Sequence, residues 1–298
     1  MKRTRWLISV PVFGARYVEE CCATTLPALQ RAVEALEAAH DVDVRLIIHT
    51  DQPARVINAV DIPVEPFPIP AGARDWDSFA QAHREALALA LMGDVVVLLT
   101  AGAVISEQGL VYCADVLENP ALRVVLCAVP RILNQNLLPD TADAAAFMAA
   151  AWENRHPMTV ECTWPAGRSV DLSRTFFVGT DGDVVTRQIL PHPLAVRVDG
   201  RPLRFTPTVD ANLMLCFDPS EMHMTVDSAR LALVKLTPLD KGYDLAEHTM
   251  RERAGSGELS VTNPHQRWCM SKRVLLRGSG SARGCQDALF VGALKGGG

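Results

Sequence analysis

No apolar run in the chain approaches the ~20 residues needed to cross a bilayer; the longest, such as Val95–Leu99, are far shorter. The N-terminal MKRTRWLISVPVFGARYVEE follows its basic start with only about six apolar residues, too few for the apolar core of a signal peptide. A cytoplasmic protein without a membrane span is the expectation. A block of Lys and Arg is missing as well. With a net charge of −5 and a pI near 5.9, a nucleic-acid partner held through phosphate contacts is not expected. The eight cysteines contain no C-x-x-C pair, which argues against a zinc ribbon or a thioredoxin-like site. Cys21, Cys22, Cys113, Cys127 and Cys216 fall within apolar or helical patterns, as reduced buried thiols do. No G-x-G-x-x-G follows the first apolar run, so a Rossmann dehydrogenase is disfavoured. There is no internal repeat.

What is present is a chain of 298 residues, 49% hydrophobic and 21% charged, enough to bury a large core in one or two domains. From residue 6 to about 130, short apolar runs alternate with helical periodicity, which predicts an α/β fold with a mostly parallel sheet flanked by helices. Strands are expected at Trp6–Val10, Val44–His49, Val64–Phe67, Val95–Leu99 and Arg123–Val129. Leu26, Leu29, Val33 and Leu36 recur at helical spacing behind Pro27, and Phe79–Leu91 makes a second amphipathic helix. Ser106 reads as the cap of a helix carrying Leu110, Cys113, Ala114 and Leu117, with Glu107 in its first turn. The Ala-rich Asp140–Asn154 segment is helical on propensity.

Beyond residue 156, short Val, Thr and Phe runs separated by GTDGD, VDGRP and FDPSE predict strands and hairpins, an α+β second half. The expected division is 1–135 as a nucleotide-binding half, 136–250 as the acceptor-side half of the same domain, and 251–298 as a C-terminal extension, partly flexible.

In a parallel sheet, ligands gather where loops leave the carboxyl ends of the strands. The residues there are Pro11-Val12-Phe13-Gly14, Thr50-Asp51-Gln52-Pro53, Thr100-Ala101-Gly102-Ala103 and Pro130-Arg131. In order and spacing, WLISVPVFG, RLIIHTD, FAQAHREALALALMGDVVVLLTAG and RVVLCAVPR resemble the nucleotide-binding half of a GT-A-type glycosyltransferase over roughly residues 5–131. The resemblance implies a nucleotide-sugar pocket, with Pro11 and Phe13 lining the base and Asp51 hydrogen-bonding base or ribose. A turn cap before Pro53 is the plainer role for Asp51.

The chain departs from that family at the end of the fourth strand. Metal-dependent members carry Asp-x-Asp there, whereas this sequence has Thr100, Ala101, Gly102 and Ala103, whose Ala and Gly side chains cannot ligate a cation. No divalent metal and no cofactor is therefore expected, the nucleotide sugar being a substrate. Arg131 or Arg84 would supply the missing positive charge. For Arg84 a solvated helix face is the competing role. In the second half the resemblance carries over His192, near the diphosphate, and Asp210, as base of an inverting reaction, with Asp227 the next carboxylate to consider. A strand-edge histidine and turn-capping aspartates are the plain alternatives.

The expected function is sugar transfer from a nucleotide sugar to an unknown acceptor, metal-independent and inverting. The alternatives are a non-catalytic nucleotide-sugar binder or scaffold on the same fold and, disfavoured by the lack of a Gly-rich, basic first loop, a nucleotidyltransferase. A homo-oligomer is left open.

Overall fold

Apolar runs without alternation belong to strands covered on both faces, and the computed structural model arranges them so. It describes residues 3–69, 76–133, 141–155, 160–161, 175–178, 184–186, 191–203, 213–237 and 264–276. The chain begins β1 (Thr4–Pro11), α1 (Ala15–Glu20), a π-helical turn over Cys21–Thr25, α2 (Leu26–Ala39), β2 (Val42–Thr50), α3 (Pro53–Ile57) and β3 (Val64–Pro68). It continues through α4 (Trp76–Leu89), β4 (Val95–Leu98), β5 (Ala103–Ile105), α5 (Gly109–Leu117), β6 (Val124–Cys127), β7 (Arg131–Leu133) and α6 (Ala144–Glu153). The second half adds β8 (Val160–Glu161), β9 (Thr175–Val178), β10 (Val184–Thr186), β11 (His192–Arg197), β12 (Met222–Met224), β13 (Leu233–Thr237), α7 (Pro264–Ser271) and β14 (Val274–Leu276).

Seven strands form the main sheet in the order β12-β6-β11-β4-β1-β2-β3. All run parallel except β11, which lies antiparallel between β4 and β6. The fold is α/β with a mostly parallel sheet, and β11 and β12 bring the second half of the chain into it. The described residues also form a four-stranded sheet (β14-β10-β9-β8) and a three-stranded one (β5-β13-β7).

The core lies on both sides of the main sheet. Ile8, Val10, Leu46 and Ile48 meet Leu29, Leu36, Leu110 and Cys113 of α2 and α5 on one face. On the other, Leu7, Ile47, Val96 and Leu98 share a cluster with Ala80 and Leu87 of α4 and with Phe147 and Trp152 of α6. Among the described residues, Cys21, Cys113, Cys127 and Cys269 are buried thiols and Cys22 and Cys216 half-buried ones. Among the described residues no helix is long and apolar enough to cross a membrane.

Two local expectations need correction. Ser106 does not cap α5, which starts at Gly109 behind Gln108. Its buried hydroxyl accepts instead from the Ala232 N–H at 3.0 Å, a long-range bond that ties the chain before α5 to the strand region before β13. Helix α6 starts at Ala144, not Asp140, because Asp143 accepts hydrogen bonds from the Ala145 and Ala146 N–H groups and so fixes the N-terminus. Within residues 251–298, α7 and β14 belong to the packed structure: β14 pairs with β10 and buries Val274 and Leu276.

Candidate functional site

Because β1, β2 and β4 are parallel neighbours, the loops that follow them leave from one edge. Register places Pro11 beside His49, and the edge is zipped further by Val12 N–H to His49 O and Leu99 N–H to Ser9 O, each 2.9 Å. Pro11 therefore ends β1 on this edge, and Asp51 and Thr100 follow the carboxyl ends of β2 and β4 there. β11 runs the other way and so begins there, with His192.

The first two loops are fastened to each other. Gly14 has φ +86°, a conformation that strains any residue with a Cβ. Its N–H faces both oxygens of Asp51, at 3.2 and 3.1 Å. The Asp51 carboxylate is thus engaged by backbone, and its structural effect is to fix the loop carrying Phe13. Phe13 is half-buried against Phe79 of α4, ring centroids 4.8 Å apart and tilted by 41°. Pro11 itself is buried in the strand.

The fourth strand ends in a tight turn closed by Ala103 N–H to Thr100 O at 2.9 Å. Gly102 has φ +80°, and a Cβ there would stand 3.0 Å from Glu20 Oε1 and 3.0 Å from the Leu236 carbonyl oxygen. Leu236 N–H also donates to Gly102 O at 2.7 Å, so β13 is seated directly on the turn. An aspartate at 102 is closed out by backbone as well as by conformation. Among the described residues no three His, Cys, Asp or Glu side chains gather into a metal-holding group.

Cations approach the same turn through the three-stranded sheet. Lys235 of β13 is in register with Ala103 of β5 on one side and Arg131 of β7 on the other. Arg131 is half-buried and donates from Nη1 to Thr237 Oγ1 at 3.3 Å. Lys235 lies inside LALVKL, where the apolar flanks hide it from a search for polar strand ends.

His192 is half-buried, and its Nε2 donates to the Leu98 carbonyl at 2.7 Å, holding the imidazole at the end of β4. Arg84 lies on α4 and donates to Gln81 Oε1, at 3.3 Å from Nε and 3.0 Å from Nη2. Asp227 sits on the turn after β12, where its Oδ1 accepts from the Ala229 N–H at 2.9 Å. Glu107 is half-buried, and its N–H donates to Thr141 O at 3.0 Å. Asp210 lies outside the described residues.

Four residues that the sequence reading passed over stand beneath this edge, between the sheet and α4. Ser9 Oγ and His83 Nδ1 are 2.8 Å apart and fully enclosed. His49, 3% exposed, bonds through Nε2 to Glu85 Oε2 at 2.8 Å and stacks on Phe67 at 5.0 Å. The hydrogen bond from Gln81, with lesser help from His49 and Arg84 and against partial burial, holds the Glu85 carboxyl below its ordinary value. The signal was present in AQAHRE, where His83 and Glu85 ride an otherwise apolar helix.

No family model matches the chain, and no curated protein matches it. Solved structures do. S. aureus TarS 1-349 is 13% identical, over 80% of this chain and 58% of that one, with a TM-score of 0.38. The same protein in complex with UDP is 14% identical over 46% of this chain and 38% of that one, TM-score 0.33. Glucosyl-3-phosphoglycerate synthase from Mycobacterium tuberculosis, in complex with phosphoglyceric acid, is 16% identical over 42% and 43% of the two chains, TM-score 0.26. The chain spans between about a third and three fifths of the length of the TarS structures it matches.

Proposed function

We propose that the chain binds a nucleoside-diphosphate sugar at the carboxyl edge of the main sheet and transfers the sugar, with inversion and without a metal, to an acceptor. The observation that carries this reading is the convergence on one edge of the Asp51-clamped Phe13 loop, the Thr100–Ala103 turn and His192. Phe13 offers an aromatic surface to the base. The absence of a carboxylate pair on the turn, with Gly102 confined by Glu20 and Leu236, supports charge stabilisation by side-chain cations, for which Arg131 and Lys235 are the nearest by register.

In the proposed step the acceptor oxygen bonds to the anomeric carbon while the bond from that carbon to the diphosphate oxygen breaks, its electron pair leaving with the phosphate. The acceptor proton passes to Asp210. His192, with Arg131, steadies the departing diphosphate. Nucleotide-sugar binding without turnover is the second reading, favoured by the engagement of Asp51 and Asp227 with backbone N–H groups.

Calorimetric titration with uridine, guanosine, thymidine and cytidine diphospho-sugars, each with and without EDTA, tests both. One donor is expected to bind equally well in EDTA; binding that EDTA abolishes overturns metal independence, and no binding removes the site. Asp210→Asn then separates enzyme from binder, with turnover falling ~10²-fold or more at unchanged donor affinity if Asp210 is the base.

A further inference from the structure

At the amino edge of the main sheet, opposite the candidate site, three arginines stand near two carboxylates, and two of the three pair with them. Arg201 takes both: Glu221 at 2.8 and 2.6 Å, and Asp199 through Nε at 3.0 and 2.9 Å, with its guanidinium over the Phe217 ring at 5.3 Å. Arg123 shares Asp199 with it, and Arg197 stands beside Arg123. Arg123 Nη1 donates to Pro120 O at 2.6 Å, and Arg197 Nη1 to Asn119 O at 3.4 Å. Consecutive carbonyls of one turn thus anchor both guanidiniums, close enough for the Arg123 charge to act on Arg197. Arg123 Nε is buried, 3.3 Å from Asp199 Oδ2 yet without a hydrogen bond. Among the described residues no carboxylate lies within ion-pair distance of Arg197.

We propose that Arg123 and Arg197 form a binding site for a single phosphate group, carried by a small soluble phosphate compound or by inorganic phosphate itself. Each guanidinium has five N–H donors in a planar fork matched to phosphate oxygens, and each spends one on the turn. Burial and the neighbouring Arg123 charge pull Arg197 below its ordinary value. Both act against the charged form, and an oxyanion between the two guanidiniums reverses the second. Asp199 and Glu221 stand close by and the whole chain is acidic at −5, so a polyanionic surface such as a nucleic acid is repelled where one compact anion is accepted.

The test is thermal melting of the full chain in EDTA, in chloride buffer and in about 20 mM inorganic phosphate at matched ionic strength. Phosphate is expected to raise the wild-type midpoint by about 2–4 °C. Arg123 also touches Asp199, so Arg123→Gln carries a risk of misfolding and Arg197→Gln is the decisive variant. It is expected to melt at or above wild type in chloride, since a like-charge contact is relieved, and to lose the phosphate shift. A wild type indifferent to phosphate overturns the proposal. So does a shift that survives Arg197→Gln, which would place the anion elsewhere, including the carboxyl edge, and leave the donor-binding reading untouched. A larger shift with short duplex DNA at equal phosphate concentration would also overturn it, in favour of a polyanion.

Discussion

On the face covered by α2 and α5, β1 and β2 present Ile8, Val10, Leu46 and Ile48, all fully buried and all aliphatic. On the face covered by α4 the same strands present Leu7 and Ile47, and then, nearer the carboxyl edge, Ser9 and His49, met by His83 and Glu85. One layer is held by packing throughout, and the other turns from packing to hydrogen bonding as it nears the loops. A carboxylate or imidazole under those loops is costly to bury unless paired. The polar pairs thus stand where they position loop residues, and the apolar face carries the stability.

Truncation on the apolar face should have the largest effect. Leu29→Ala in α2 empties a fully buried site and is expected to cost about 2–5 kcal/mol in urea unfolding, with donor affinity of the folded protein unchanged. A loss below 1 kcal/mol would mean that the two faces do not divide the work in this way.

Next comes the Ser9–His83 pair. Ser9→Ala takes the partner from His83 Nδ1 in an enclosed site and is expected to cost about 1–3 kcal/mol. Against a His83→Leu background the same change should cost far less, giving a coupling energy of about 1–2 kcal/mol. Equal costs in both backgrounds would show that the hydrogen bond contributes nothing and that Ser9 serves by its size alone.

Much of the parallel sheet was readable because strands buried on both faces are continuous apolar runs: Val95–Leu98 and Val124–Cys127 coincide closely with the expected strands. That His192–Arg197 would insert antiparallel between β4 and β6 was not readable, since its partners lie about 100 residues away in β4 and about 70 away in β6 and leave no local mark. Ser106 misled for the same reason, its hydroxyl being claimed by Ala232, 126 residues on. At the candidate site the strand-end rule named Asp51 and Thr100, which leave from one edge, and His192, carried over from the resemblance, starts β11 on that same edge. It could not show that Asp51 faces the Gly14 N–H, or that Glu20 and Leu236 close the turn at Gly102, because those are tertiary contacts. The Ser9, His49, His83 and Glu85 pairs went unread because each half looks ordinary until the helix is laid on the sheet.

The smallest expected effect belongs to His49–Glu85, and its sign follows from the carboxylate. Glu85 is 42% exposed, so the pair is screened and its contribution is that of a surface contact, about 0.2–1 kcal/mol. The folded Glu85 carboxyl is held below its ordinary value, chiefly by Gln81. The stabilisation is therefore present above the unfolded carboxyl range near pH 4.3 and is lost as pH falls through the lower folded value. The stability gap between wild type and Glu85→Gln should accordingly shrink below about pH 4. It should also narrow in 1 M salt, where charges are screened beyond about 3 Å. A gap unchanged at low pH would mean that Glu85 holds His49 and Gln81 by shape and neutral hydrogen bonding. In that case the α4 face would resemble the α2 face more closely than its residues suggest, a scaffold held by fit and insensitive to protons.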